Sequence, residues 1–407
     1  MAFDNSDLHK ASKAKKDEFF TQYPVIEKEV SAYLEYNPDV FRGKTILLPC
    51  GDPEWSNFTK YFAQNFDRFG IKKLVSTSYA AASKTYKGFY QPTLFETIAP
   101  QFDQEKTTVN GKIFTLTCDR TGDQEINIDD LQWQYLEGDG DFRSEEVSRL
   151  RDESDIIITN PPFSLFREFL AWILDAKKQL LIIGNMNAIT YKEVFPLIKE
   201  NKLWLGPSIT SGDREFQVPD DYPLEAAGWI IDQQGRKFLR IKGVRWFTNL
   251  DHGRRHQLLP LMTMEDNLRY SKHKEIKGKD SYDRYDNYHA IEVPFTDAIP
   301  SNYDGVMGVP ISFLDKYSPE QFEILGATQR GCHDEVVDTR KYDDYWEVRQ
   351  DGSRTGSSGN KTNENANLLG NDGKKNYFVN KEGRIIQSAY QRLFIRHRRG
   401  KSNDHNS

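Results

Sequence analysis

Residues 155–163, DIIITNPPF, bring together residue types that can do chemistry. Asn160 offers a side-chain carbonyl as a hydrogen-bond acceptor. Pro161 offers a backbone carbonyl, and Pro162 has no N–H to compete for it. Phe163 offers a flat face. Two acceptors beside a stacking ring suit a planar aromatic ring that carries an exocyclic amine, gripped by its amine hydrogens and by its face. Such a group of residues would act by positioning the amine rather than by bonding covalently to it.

The flanking residues say how these groups are presented. Residues 156–159 are apolar or β-branched and read as a short buried strand. Prolines cannot donate to a sheet ladder, and Pro161 pushes Asn160 out of the helical region, so the strand stops there. In an open α/β sheet that carboxyl edge is where ligands bind. Strand and helix alternate around it. A helix is expected after Pro24, a strand, loop and helix over 44–66, and a second strand over KKLVSTSY (72–79). KIFTLTCD (112–119) reads as a hairpin and LQWQYLEGDGDF (131–142) as a segment ending in an acidic, glycine-broken turn. After the motif, Leu165, Phe166, Phe169, Leu170 and Ile173 form one helical face. QLLIIGN (179–185) is a buried strand, 191–200 a helix and LWLGP (203–207) another strand. This predicts an α/β domain over 1–207 with a mainly parallel sheet and helices on both faces.

From residue 208 the pattern changes to strand-like pieces divided by polar turns, a mixed β-rich region over 208–407. The Gly-, Ser- and Asn-rich stretch 351–376 reads as a mobile loop. Net charge is −6 over 407 residues, but residues 235–279 hold 12 Lys and Arg against 4 Asp and Glu. Arg236, Lys237, Arg240, Lys242, Arg245, Arg254 and Arg255 there are interleaved with aromatics, a pattern suited to phosphate contacts and base stacking. Tyr282, Tyr285 and Tyr288 follow, and Arg392, Arg396, Arg398 and Arg399 close the ordered part with a cationic end.

Other chemistries are disfavoured. Cys50, Cys118 and Cys332 are far apart and odd in number, which indicates neither a disulfide framework nor a zinc site. His252 and His256 are four apart but have no cysteine or glutamate beside them, and Arg254 and Arg255 would repel a cation. They read as surface or DNA-facing groups, and no metal is expected. No Walker motif or serine-nucleophile elbow is present. No run reaches the roughly 20 apolar residues of a membrane span, and the first ten residues lack a signal-peptide core, so a cytoplasmic protein is expected.

NPPF resembles the catalytic motif of amino-group methyltransferases that use S-adenosylmethionine. With DEFFTQ (17–22), CGDPEWSNF (50–58), EGDGDF (137–142), WFTNL (246–250) and PISFLDKYSPEQFEILG (310–326), the chain resembles the EcoRI-type family of adenine-specific DNA methyltransferases from about residue 10 to residue 398. The order, cofactor segments before NPPF and recognition region last, is similar to the gamma arrangement of such enzymes. The resemblance implies a Rossmann-like S-adenosylmethionine fold with a C-terminal target-recognition region. It implies methyl transfer to N6 of an adenine flipped out of duplex DNA. On this reading Asn160 and Pro161 accept from the amine, Pro162 shapes the turn and Phe163 stacks on the base. Phe20, Thr21, Gly51, Asp52, Asp141 and Phe142 hold the cofactor, with Asp141 and Phe142 against its adenine. Arg240, Lys242, Arg245, Arg254 and Arg255 contact DNA. The chain departs from the family's DPxxGSGNF pattern in having only Gly51, placed before Asp52, and Ser78 and Tyr79 stand where an acid usually meets the cofactor ribose. A restriction–modification role with a cognate endonuclease and a monomeric enzyme are expected. The alternatives are another planar amine, such as cytosine N4 or an RNA base, and a DNA-binding protein of this fold without turnover.

Overall fold

The computed structural model describes residues 20–50, 56–80, 97–210, 213–218, 228–328, 342–358, 363, 365–370, 376–389 and 391–398. The chain divides into two compact units. The first comprises Met1–Ala188 and Leu203–Gly253, the second Ile189–Lys202 and Arg254–Ser407.

The first unit contains strands β1 (Thr45–Leu48), β2 (Lys73–Ser78), β3 (Lys112–Leu116), β4 (Gln132–Tyr135), β5 (Ile156–Thr159), β6 (Gln179–Asn185), β7 (Trp204–Leu205), β8 (Asp213–Gln217), β9 (Trp229–Ile231), β10 (Lys237–Lys242) and β11 (Val244–Thr248). Its helices are α1 (Tyr23–Tyr36), α2 (Asn57–Gln64), α3 (Phe66–Phe69), α4 (Gln104–Val109), α5 (Glu145–Glu153) and α6 (Phe166–Asp175). Eight strands make one sheet in the order β4-β3-β2-β1-β5-β6-β11-β7. The three central junctions are parallel. The four outer ones are antiparallel. The expected parallel sheet is therefore the centre of a mixed one. β1 and β5 are buried along their whole length, which is why they read as unbroken apolar runs.

The expected boundary at 207/208 is corrected by β11, whose five residues are all buried and which pairs with β6 and β7 inside the large sheet. A strand buried along its whole length needs cover on both faces, so VRWFT completes this sheet rather than opening a new domain. β8, β10 and β9 form a separate antiparallel sheet in the same unit. α6 buries Phe166, Phe169, Leu170 and Ile173, as its spacing predicts. Phe166 lies so close to β6 that a Cβ on Gly184 would come within 2.4 Å of its ring, so only glycine lets the helix seat there.

The second unit is β-rich, with α7 (Phe195–Lys199), α8 (Met264–Tyr270) and strands β12 (Ile291–Glu292), β13 (Met307–Pro310), β14 (Phe322–Ala327), β15 (Trp346–Val348), β16 (Arg354–Ser358), β17 (Ala366–Leu369), β18 (Tyr377–Val379), β19 (Ile385–Ala389) and β20 (Arg392–His397). They form sheets ordered β12-β13-β20-β14 and β16-β15-β18-β19-β17. Two of these strands, β16 and β17, lie within the stretch expected to be a mobile loop, which corrects that expectation for their residues. The cationic C-terminal end is likewise structural. Arg392 makes a forked ion pair with the buried Glu292, at 2.7 and 3.0 Å, and Arg396 pairs with Glu323. Arg398 donates to the Phe322 carbonyl at 3.2 Å, and Arg399 lies outside the described residues. Tyr282, Tyr285 and Tyr288 are all buried in this unit. Among the described residues no helix is long and apolar enough to cross a membrane.

Candidate active site

β5 ends at Thr159, whose hydroxyl donates to the carbonyl of Pro49 at 2.6 Å, just past the end of the neighbouring β1. This bond draws the start of NPPF onto the carboxyl edge of the parallel centre. Pro161 is buried, and the Asn160 side-chain carbonyl oxygen is sealed from solvent. Pro162 opens the short helical turn Phe163–Leu165, with its carbonyl accepting from Leu165 at 2.9 Å. Phe163 is half-buried. Its ring stands edge-on to Phe216 of β8, with centroids 6.5 Å apart.

β8 also anchors the N-terminal segment. Phe20 and Gln217 exchange backbone hydrogen bonds of 2.9 and 3.2 Å. Gln22 donates its amide to the Glu215 carbonyl at 3.0 Å. From the other side Asn57, at the start of α2, donates to the Thr21 carbonyl at 2.8 Å. Phe20 and Thr21 are thereby strapped between α2 and the strand that touches Phe163. The Thr21 hydroxyl is buried and makes no hydrogen bond among the described residues. Leaving such a group unmatched costs about 1–3 kcal/mol, so its position suits the polar end of a ligand. Gly51 and Asp52 lie outside the described residues. Cys50, which leads into them, has φ +60°, the left-handed region that non-glycine residues seldom occupy.

The end of β2 contributes Tyr79, 3.9 Å from the Cys50 Sγ. Burial, then the neighbouring Cys50 and Asp141, push the Tyr79 phenol well above its ordinary value, so it stays protonated. Gly140 has φ +87°, and a Cβ there would lie 2.3 Å from the Ser78 carbonyl oxygen. Glycine is what lets the acidic turn press against β2 and bring Asp141 to the same edge. Asp141 accepts from Arg143 through the backbone N–H at 2.8 Å and the guanidinium at 2.6 and 2.9 Å. That guanidinium holds the carboxyl below the usual range despite partial burial.

Phe142 is corrected by the structure. It is 1% exposed, and its ring packs edge-on against Phe169 and Trp172 of α6, with centroids 5.0 and 5.5 Å away. It is a core residue with no open face for a cofactor ring.

The expected DNA contacts divide. Arg240 is exposed and sits directly opposite Glu215, paired at 2.8 Å, while Lys242 is exposed on the same strand. Arg245 is buried and donates to the carbonyls of Val244 and Thr210 at 2.9 and 2.8 Å. In the second unit Arg255 is buried and donates to the Asn201 side chain, and Arg254 is half-buried beside it. Arg245 and Arg255 are thus structural, because burial of an arginine is tolerated where carbonyl oxygens satisfy its donors. His252, expected at the surface, is buried with its Nε2 3.1 Å from the Leu205 carbonyl and its ring against Tyr33. His256 pairs with Glu320 at 2.7 Å. One aromatic that sequence reasoning missed is Tyr270, at the end of α8. It is 61% exposed, with Arg269 stacked 5.6 Å from its ring. The Arg-Tyr pair closing a polar helix was its signal.

The family described as Adenine-specific methyltransferase EcoRI matches residues 7–398. The chain belongs to that family. Among curated relatives, it is 44% identical to the Type II methyltransferase M.EcoRI of Escherichia coli over 321 residues, covering 79% of this chain and 89% of the relative. It is 33% identical over 320 residues to the Type II methyltransferase M.MgeORF184P of Mycoplasma genitalium, with 78% and 85% covered. It is 30% identical over 322 residues to the Type II methyltransferase M.MpnI of Mycoplasma pneumoniae, with 78% and 84% covered. No solved structure matches the chain. Membership of this family makes the chain an adenine-specific methyltransferase.

Proposed function

We propose that the chain transfers a methyl group from S-adenosylmethionine to N6 of an adenine flipped out of a short duplex DNA sequence. It would serve as the modification half of a type II restriction–modification system, with a cognate endonuclease acting on the same site. The observation that carries this reading is the Thr159 to Pro49 hydrogen bond, which ties the residue before NPPF to the end of β1, while Phe163 meets Phe216 on the strand that also holds Phe20. When bound, S-adenosylmethionine supplies an electrophilic methyl group.

The chain's own residues do the rest. Asn160 Oδ1 and the Pro161 carbonyl accept the two N6 hydrogens and aim the nitrogen lone pair, Phe163 stacks on the base, and Pro162 fixes the turn. This is positioning, and the proton leaves after attack. Thr21 offers its buried hydroxyl to the cofactor, and Phe20, Asp141, Gly51 and Asp52 complete the holder. The first unit is the catalytic one and the second reads the target. Arg240, Lys242 and Arg254 meet phosphates. The enzyme works in the cytoplasm as a monomer, since it modifies one strand at a time.

The test is transfer of labelled methyl groups from S-adenosylmethionine to unmethylated bacterial genomic DNA, followed by long-read mapping. N6-methyladenine in one recurring motif is expected. Label confined to cytosine, or absent from DNA, overturns the reading.

A further inference from the structure

The small sheet has two unlike faces. Register places Phe216, Leu239 and Trp229 directly opposite one another across β8, β10 and β9, so their side chains leave on the same side. Ile231 opposite Lys237 and Arg214 opposite Ile241 join them on that side. The carboxylates Asp213 and Glu215 fall on the other, facing Lys242 and Arg240. One face therefore carries apolar groups together with Arg214 and Lys237, and the other carries acids across from bases around the half-buried pair Phe238 and Ile230.

The apolar face is buried at its inner end. Phe216 is 2% exposed and touches the Phe163 ring, and Leu239 beside it is 8% exposed. Its outer end is open, with Trp229 46% and Ile231 48% exposed on the edge strand β9. An exposed indole in line with a catalytic ring, on a face that also carries cations, matches one occupant in charge and shape. That occupant is a polyanion with flat apolar faces, which is a duplex whose stack has been opened.

We propose that Trp229 is a substrate-positioning residue that stacks on a base uncovered when the target adenine leaves the helix. Arg214 and Lys237 on the same face neutralise nearby phosphates. This rests on the DNA reading above. Extrusion breaks stacking on both sides of the departed base, and an aromatic platform offsets part of that loss. Removing it should slow transfer on an intact duplex and matter less when pairing is already broken.

The experiment uses the full chain and a duplex oligonucleotide carrying the motif read from the genomic assay, made fully paired, with a mismatch opposite the target adenine, and with 2-aminopurine at the target. For Trp229→Ala, kcat/KM on the paired duplex should fall about tenfold, a typical stacking contribution per base. The mismatched duplex should recover most of that loss, the 2-aminopurine fluorescence rise should shrink, and S-adenosylmethionine affinity should stay within about twofold. Trp229→Phe should stay within about threefold of wild type. Wild-type kinetics in Trp229→Ala, or a loss that the mismatch leaves untouched, overturns the proposal. If that variant does not fold, Trp229→Leu keeps the apolar bulk without the flat ring. The same loss then supports stacking and full activity overturns it. If wild-type protein methylates no DNA, the functional reading falls and this one with it. Methylation by wild type with an unaffected variant removes this proposal alone.

Discussion

Asn160 and Thr21 sit at opposite ends of the same proposed reaction, one toward the base and one toward the methyl donor. Asn160→Ala removes an acceptor used chiefly as the amine becomes a nucleophile. Transfer should fall by about 100-fold or more while DNA and cofactor affinities stay within about tenfold, a split seen by comparing single-turnover rates with binding titrations. Thr21→Val replaces a buried hydroxyl that makes no hydrogen bond among the described residues with a methyl of the same shape. The cofactor-free protein should melt at the same temperature or higher, and cofactor affinity should drop about five- to tenfold, measured by melting with and without S-adenosylmethionine. The end of β5 at Thr159 was legible because the two prolines that follow Asn160 cannot continue a sheet ladder. Phe142, Arg245, Arg255 and His252 were misread for a common reason. Residue type says what a side chain can do, and which way it faces is decided by partners remote in sequence, here α6 for Phe142 and the Leu205 carbonyl for His252.

At the scale of elements, the acidic turn is pinned from both sides. Gly140 presses it against β2, and Phe142 nails it into α6. Phe142→Ala should destabilise the protein by about 3–5 kcal/mol, read by denaturant unfolding, because a fully buried ring leaves a cavity. Cofactor affinity of the still-folded protein should change far less, whereas a ring stacked on the cofactor would show the reverse. β1, β2, β5 and β6 could be read from apolar runs between turn residues. The antiparallel flanks could not, since periodicity marks a strand without naming its neighbour. β16 and β17 were hidden for another reason. Backbone hydrogen bonding accepts small polar residues as readily as large apolar ones, so a Ser- and Asn-rich stretch can still pair.

For the whole molecule, charge is the property that composition describes least well. The local excess of cations over 235–279 overstates what can meet DNA, because Arg245 and Arg255 are consumed inside the protein. Arg269, Lys274 and Lys277 are exposed and carry no ion pair among the described residues. Their combined replacement by alanine should lower the slope of log affinity against log salt by about 2–3, at roughly 0.9 per phosphate neutralised, measured between about 50 and 200 mM salt. An unchanged slope would remove this surface from the interface.

The division of the chain has a genetic corollary. Ile189–Lys202 belongs to the second unit although Leu203–Gly253 returns to the first. A single crossover inside residues 189–253 would give a hybrid whose two units each mix parents, and one at either end of that range would still mix one of them. Exchange of a whole second unit between relatives by shuffling therefore calls for a paired event that carries the short inserted segment along with everything from Arg254 onward. Hybrids joined at one point should need compensating core substitutions before they fold.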